Sequence, residues 1–349
     1  MDSVSQAALG ATVGVVVMGR SIPVWRAALA GALVGTLPDL DVFIDQGDEI
    51  RNMVLHRAET HALFWQALAT PLIALVLAMM TRTREHLTRW CLMVLLGLVT
   101  HALLDAMTVY GTRLWLPFND DPVGIGSLFI IDPLYTLPLL LGLLLALVIR
   151  GGTRRRWATA GLALSTLYAG WSIAAQHHVS ARVLASPEAT GLSPQQVLVT
   201  PTPFNTVLWR ILLMDRDSYR EGFYSLLDPY VAPGRPIRFT RHDRGSRHEE
   251  ATAAFAGANL VREFSRGFYA LSDDGRYAYV TDLRMGQHPF FAFSFAFAEH
   301  QSHPLRAIDP IRVTRRMPFD AGMAWLRQRA LGHEAAPPQL DASRYDRRP

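Results

Sequence analysis

The sequence contains no lysine: its 34 basic residues other than histidine are all arginine. We read this as base-composition bias of the coding genome. There is one cysteine, Cys91, so an intramolecular disulfide framework is excluded. Cys91 lies in an apolar run and reads as a buried structural thiol. The opening, MDSVSQAALGATVGVVVMGR, lacks the basic n-region of a cleavable signal peptide. The second half has no glycine-rich phosphate loop, nucleophile elbow or cysteine pair. The net charge is only +4. The arginines gather in short loops between apolar runs, a pattern of membrane topology and not of nucleic-acid binding.

Half of the residues are hydrophobic, and they are concentrated in the first half. About six helical segments are expected there. Val4–Met18 and Val24–Leu37 are short for a span, which needs about 20 apolar residues. Ala62–Met80, Trp90–Val109, Ser127–Ile149 and Trp157–Ala175 read as transmembrane helices. The loop 81–89 carries three Arg and the loop 150–156 carries four. The positive-inside rule makes both cytoplasmic, as it does the turn flanked by Arg20 and Arg26. With six segments, both termini then lie outside.

From about Gln176 the composition becomes that of a soluble domain. Val207–Met214 and Ser218–Leu227 read as strands around Asp215-Arg216-Asp217. Arg247–Phe264 reads as a helix. Gly267–Leu271 and Arg276–Leu283 read as a hairpin around Ser272-Asp273-Asp274-Gly275. In Pro289–Ala298, Phe291, Phe293, Phe295 and Phe297 alternate as in a half-buried strand, more consistent with core than with a lipid-binding surface. Asp320–Leu331 reads as a terminal helix. The expected organisation is a polytopic α-helical membrane domain over 1–178, a linker over 179–200, a smaller soluble α+β domain over 201–335, and a disordered tail over 336–349.

The stretch 97–121, GLVTHALLDAMTVYGTRLWLPFNDD, organises the first half. It begins as an apolar helix yet carries His101 and Asp105. A spacing of four residues puts imidazole and carboxylate on one helix face. Ionisable groups inside a membrane helix are expensive and mark function by default. Two further clusters accompany it. Asp39 and Asp41 follow Leu37-Pro38 at the end of an apolar segment. His56 and His61 stand at the mouth of Ala62–Met80. Each cluster alone has a plain structural reading: a solvated helix end, interfacial histidines, or an intramembrane hydrogen bond. All three fall on the outer side of the topology above, although that topology was assigned from the arginine loops.

Imidazole and carboxylate are ligands shared by zinc, manganese and iron. Three His and three Asp from three helix ends can converge on one or two ions, as helical bundles build such centres. A metal also offsets the cost of holding carboxylates near the membrane, and it acidifies water into a nucleophile. Arg57 is placed to hold an anionic group. Glu59 is near enough in sequence to act as a base, though nothing selects it. Tyr110 and Arg113 are lesser candidates to line the site.

The segments GTLPDLD, HRAETHALF, THALLDAMTVYGTRLWLPF and IIDPLY, with the opening MDSVSQAALGA, resemble the YdjM-type family. This is a family of LexA-regulated bacterial inner-membrane proteins described as metal-dependent hydrolases. The shared motifs cover about residues 1–140. Pro201-Thr202-Pro203-Phe204-Asn205 and Trp209-Arg210 resemble its longer members. The family's histidine motif has the form HR-x-x-SHS; here Thr60 and Ala62 replace the two serines, so both histidines are kept and one hydroxyl is lost. Some relatives carry His where Gln6 stands, which removes a ligand at that position.

The resemblance implies a multi-pass inner-membrane hydrolase that uses a divalent metal ion, with zinc first and manganese or iron as alternatives. Metal ligands would be Asp39, Asp41, His56, His61, His101 and Asp105. Arg57 and Glu59 would serve catalysis. Membrane lipids are the expected surroundings, and a lipid or phosphoester the expected substrate; no nucleic-acid partner is expected. Two rivals are a metal-stabilised, non-catalytic envelope scaffold and an ion- or proton-coupled transporter. The transporter expects polar residues through the cytoplasmic half of the helices; in 62–80 the polar Gln66 and Thr70 lie in the outer half, and 139–149 has none. From the arginine loops we predict an extracytoplasmic C-terminal domain. A reporter active only in the cytoplasm, fused at the C-terminus, should be silent; activity there would turn the site inward.

Overall fold

The computed structural model describes residues 1–300 and 305–339. The chain divides into two compact units. The first comprises Met1–Ile44, His56–Ala175 and Pro203–Asn205; the second comprises Asp45–Leu55, Gln176–Thr202 and the chain from Thr206 onward.

The first unit is helical and is built around α1 (Ser3–Met18). The Asp2 side chain caps α1 by accepting from the Val4 and Ser5 amides at 3.1 and 3.0 Å. Most of α1 is buried, as an apolar helix without a polar stripe requires. It crosses α2 (Val24–Thr36) through facing glycines. A Cβ at Gly31 would lie 2.1 Å from the Gly10 carbonyl oxygen, and one at Gly14 would lie 2.2 Å from the Ala27 oxygen. Only glycine permits such an approach, the small-residue contact that brings apolar helices together.

Helix α2 gives way to a 3-10 turn over Pro38–Phe43, with Pro38 at its first position, where a missing amide proton costs nothing. The short α3 (Glu49–Leu55) follows and belongs to the second unit. A second 3-10 turn, Glu59–His61, then leads into α4 (Leu63–Met80) and α5 (Leu87–Ala106). After an irregular stretch come α6 (Pro133–Val148) and α7 (Arg154–Leu184).

Two helical stretches are long and apolar enough to cross a membrane, Leu63–Met80 and Arg84–Ala106. Of the six expected helical segments, four of them read as transmembrane, only these two are long and apolar enough among the described residues. Helices α1, α2 and α6 have 16, 13 and 16 residues. At about 1.5 Å per residue they fall short of a hydrocarbon core about 30 Å thick. The third predicted span is shortened because residues 127–132 are not helical and α6 starts at Pro133. Helix α7 opens on three arginines. Helix α4 buries Gln66, Thr70, Ala74 and Ala78, one small or polar residue per turn, and exposes Leu68, Leu72 and Met79. Large apolar groups outward and small ones inward is the arrangement suited to lipid.

The second unit is α+β, with two four-stranded antiparallel sheets in the orders β1-β2-β3-β4 and β5-β6-β7-β8. The first sheet comprises β1 (Val197–Pro201), β2 (Leu208–Met214), β3 (Ser218–Ser225) and, after the short α8 (Asp228–Val231), β4 (Phe239–Asp243). Residues 179–200 thus hold the end of α7, two 3-10 turns and most of β1. Every residue of β2 is buried. The expected helix over Arg247–Phe264 is broken into a 3-10 turn, α9 (Glu249–Thr252) and α10 (Ala256–Phe264).

The second sheet comprises β5 (Tyr269–Asp273), β6 (Tyr277–Gln287), β7 (Phe290–Glu299) and β8 (Arg306–Arg312). Phe291, Phe295 and Phe297 are buried, as core residues. A bulge at Phe297 interrupts the alternation, because Ala298 pairs with Ala278 and Ala296 with Tyr279. The last helix is α11 (Phe319–Ala330). Residues 333–339 form no helix or strand, and the rest of the expected tail lies outside the described residues.

The Gly10–Gly31 contact leaves no space for a side chain. We predict that Gly31→Val forces α1 from α2, at the cost of about 1–3 kcal/mol or more that overpacking carries. A lower melting temperature in detergent is the expected result; an unchanged one would refute the glycine contact.

Candidate metal centre

Helix ends of the first unit assemble the site. The 3-10 turn after α2 carries Asp39 and Asp41, the turn before α4 carries His61, and the last turns of α5 carry His101 and Asp105. His61, His101 and Asp105 have no exposed side-chain surface, and Asp39 has 21 %. One donor atom from each of Asp39, His61, His101 and Asp105 lies within 4.8 Å of the others. His61 Nε2 and His101 Nε2 are 3.1 Å apart. Asp105 Oδ2 lies 3.2 Å from the first and 3.4 Å from the second. Asp39 Oδ1 lies 3.6 and 3.5 Å from the same two nitrogens.

The hydrogen bonds around this group decide where its protons sit. His101 Nδ1 is 2.6 Å from the Gly35 carbonyl oxygen. A carbonyl only accepts, so Nδ1 carries the proton and Nε2 of a neutral ring presents a lone pair. The Thr60 hydroxyl donates to Asp41 Oδ2 at 2.9 Å and stands 2.9 Å from His61 Nδ1. Its single proton is committed to the carboxylate, so His61 Nδ1 donates to it, and Nε2 of a neutral His61 ring is also bare. Asp105 Oδ1 accepts from Gln6 Nε2 at 3.1 Å, pairs with Arg57 Nη2 at 3.2 Å and meets the Met1 amine. Asp105 Oδ2 is buried and has no hydrogen-bond partner.

Two bare imidazole nitrogens and two carboxylate oxygens therefore face one another. Without a positive charge among them such acceptors repel. This donor set fits a divalent ion such as zinc, and these four residues could hold one. Burial would raise the Asp39 carboxyl, but the His101 and His61 rings, when they carry a proton toward it, outweigh burial and hold that group far below the usual carboxylate range. Asp41 is likewise held low, burial being outweighed by His56, His61 and the Arg57 amide.

The other expected site residues take different places. Asp41 and His56 stand together beside the four donors, with Asp41 Oδ1 2.9 Å from His56 Nδ1. Arg57 is buried, and besides Asp105 its guanidinium reaches Thr108 Oγ1 at 3.2 Å. The Tyr110 ring lies under Arg57 and edge-on to His56. Arg113 pairs with Asp120 at 3.0 Å. Glu59 is exposed and lies outside the donor group. Sequence reasoning missed the Gly35 carbonyl, the Thr60 hydroxyl and Gln6 as the groups that orient the donors. The relatives' histidine at position 6 was the one signal pointing to the last.

The family model described as YdjM inner membrane protein matches residues 1–179. The chain belongs to the YdjM inner membrane protein family. The matched stretch contains every residue of the donor group. Membership and the two apolar stretches agree on a membrane protein. Comparison with curated proteins and with solved structures returns no match.

For this YdjM-family chain we predict that His101→Ala or Asp105→Ala abolishes metal binding by the purified protein. Gln6→Leu, which removes a donor to Asp105, should lower metal affinity by roughly 10–100-fold. Competition with a chelator measures both, and full affinity in either alanine variant would dismantle the centre.

Proposed function

We propose that the protein is a membrane-bound, metal-dependent hydrolase working at the outer face of the bacterial inner membrane. The observation that carries this is the convergence of four donor atoms, three of them on enclosed side chains, with the two imidazoles turning a proton-free nitrogen inward when neutral. Asp39, His61, His101 and Asp105 would hold the ion, with zinc the first choice and manganese or iron the others sharing such donors. A divalent ion there supplies Lewis acidity and makes water a nucleophile at neutral pH.

The chain's own groups do the rest. His101 and His61 each keep their Nδ1 proton in a hydrogen bond, so both rings stay turned toward the centre. Gln6 and Arg57 fix the Asp105 carboxylate through Oδ1 and leave Oδ2 to the ion. Arg57 is thereby a positioning residue, its charge turned to Asp105. Asp39, the donor with exposed surface, marks the side from which substrate arrives.

An amphiphilic ester or phosphoester suits the surroundings. Leu40, Val42 and Phe43, in the same turn as Asp39 and Asp41, are exposed, as are Phe64, Trp65, Trp115 and Phe118. An apolar rim around a polar centre fits a substrate that reaches the site along the membrane. The two apolar stretches, with the arginine-bearing loop 81–89 between them, support a topology with the C-terminal domain outside the cytoplasm. That domain would select or cover the substrate.

A non-catalytic, metal-stabilised scaffold is the second reading, favoured by the depth at which three of the four donors lie. Purified protein in detergent should hydrolyse some member of a panel of carboxylic esters, phosphomonoesters, phosphodiesters and phospholipids. Chelator should abolish the activity and zinc or manganese should restore it. Metal-loaded protein inert to the whole panel would decide for the scaffold.

A further inference from the structure

We propose that the outer faces of α2 and α6 meet lipid acyl chains, and that these two helices hold the bilayer thinner beside the four-donor centre than it is around α4 and α5. In α2, Trp25, Leu29 and Leu33 recur every fourth residue and are exposed, while Ala27, Ala30 and Gly31 are buried. In α6, Leu134, Leu137, Leu141 and Leu144 are exposed, while Leu139, Gly142 and Ala146 are buried. The two helices are neighbours beside α1: Ala28 and Ala146 share a buried cluster with Ala11 and Val15. Chiefly small residues inward and leucines outward is the division that α4 shows. A helix face turned to water would carry polar residues, yet α6 has no charged residue at all and the one charge of α2 is Arg26, in its first turn.

The ends of both helices mark where hydrocarbon stops. At the arginine-bearing ends, the Arg26 guanidinium lies 5.2 Å from the Trp25 ring centroid, and Arg154 Nε donates to the Ala146 and Ile149 carbonyls at 3.1 and 3.0 Å. Tryptophan and arginine anchor helices at the membrane–water boundary. At the opposite ends, α2 gives way to the 3-10 turn Pro38–Phe43, and α6 follows the non-helical residues 127–132. Irregular backbone facing lipid would leave amides and carbonyls without partners, so hydrocarbon does not extend over it. The exposed Phe43 and Ile131 then stand at headgroup level.

The heights differ around the unit. The 13 residues of α2 and the 16 of α6 cover about 20 and 24 Å. The 18 residues of α4 and the 20 of α5 cover about 27 and 30 Å, close to an ordinary hydrocarbon core of about 30 Å. Tilt lowers a short helix further, so the bilayer itself adapts by thinning. The four-donor centre stands at this step. The Gly35 carbonyl, in the last turn of α2, holds His101, and Asp39 lies just past the helix end. Thinning brings the headgroup layer to the level of Asp39, the donor with exposed surface. The inference does not depend on hydrolysis, since a scaffold with the same helices would thin the bilayer equally.

The test uses the full-length chain with Cys91→Ser, reconstituted into dioleoyl phosphatidylcholine liposomes. A fluorophore is attached at one exposed position at a time, through Leu29→Cys, Leu141→Cys or Phe43→Cys, with Ser272→Cys in the second unit as control. Spin-labelled phosphatidylcholine, labelled at the chain end or at the headgroup, is the quencher. The chain-end label should quench the Leu29→Cys and Leu141→Cys proteins several-fold more than the Ser272→Cys protein. The headgroup label should quench the Phe43→Cys protein more than the chain-end label does. The unlabelled protein should melt at a higher temperature in thin dipalmitoleoyl bilayers than in thick dierucoyl ones. Chain-end quenching of Leu29→Cys and Leu141→Cys no stronger than that of Ser272→Cys overturns the lipid-facing assignment and leaves a second copy of the chain to cover these faces. Dominant chain-end quenching of Phe43→Cys overturns the thinning, because the short helices are then sunk in a bilayer of ordinary thickness. A melting temperature that rises with chain length overturns it as well.

Discussion

The hydrogen bond from His101 Nδ1 to the Gly35 carbonyl is the contact on which the site depends. It uses one of the last carbonyls of α2, a group that a helix end leaves without an intrahelical partner. It joins α5 to α2 and fixes the His101 tautomer in the same contact. Gly35 can occupy that place because α1 and α2 approach through glycines: a Cβ on Gly35 would meet the Gln6 oxygen and the Gly10 Cα at 2.8 Å. The same crossing carries Gln6 to Asp105. An apolar helix contact thus determines the geometry of a polar centre.

Arg57 links the two carboxylate groups of the site from one residue. Its backbone serves Asp41 and its side chain serves Asp105. Sequence logic pointed to an anion-binding arginine; the anion it meets in the structure is internal. An interior guanidinium without a carboxylate would be costly, and so would Asp105 without donors. The buried charges of the site are therefore mutually dependent.

His101 and Asp105 were legible in the sequence because a helix places positions four apart on one face. Asp39 was legible because proline marks the end of α2, and His61 because it precedes a long apolar run. The groups that orient them were not legible. A carbonyl has no side-chain signature, and Thr60 and Gln6 are ordinary residues until a fold brings partners to them. The number of spans was overestimated because apolarity alone does not separate a helix facing lipid from one packed against its neighbours. In the second unit, β2, β3, β6 and β7 were readable from their apolar content. Strands β4 and β8 were not: they lie at the sheet edges and are mostly polar or exposed. The helix expected over Arg247–Phe264 was too long because Ala253-Ala254-Phe255 is apolar yet breaks from helix into a turn.

The excursion Asp45–Leu55 separates Asp41 from His56 in the chain and belongs to the second unit. Its Ile50 is fully enclosed and lies against Gly257 at the start of α10. During synthesis this loop emerges from the ribosome long before α10 exists to receive it. The two strokes of the site on either side of it then remain joined by an unanchored tether.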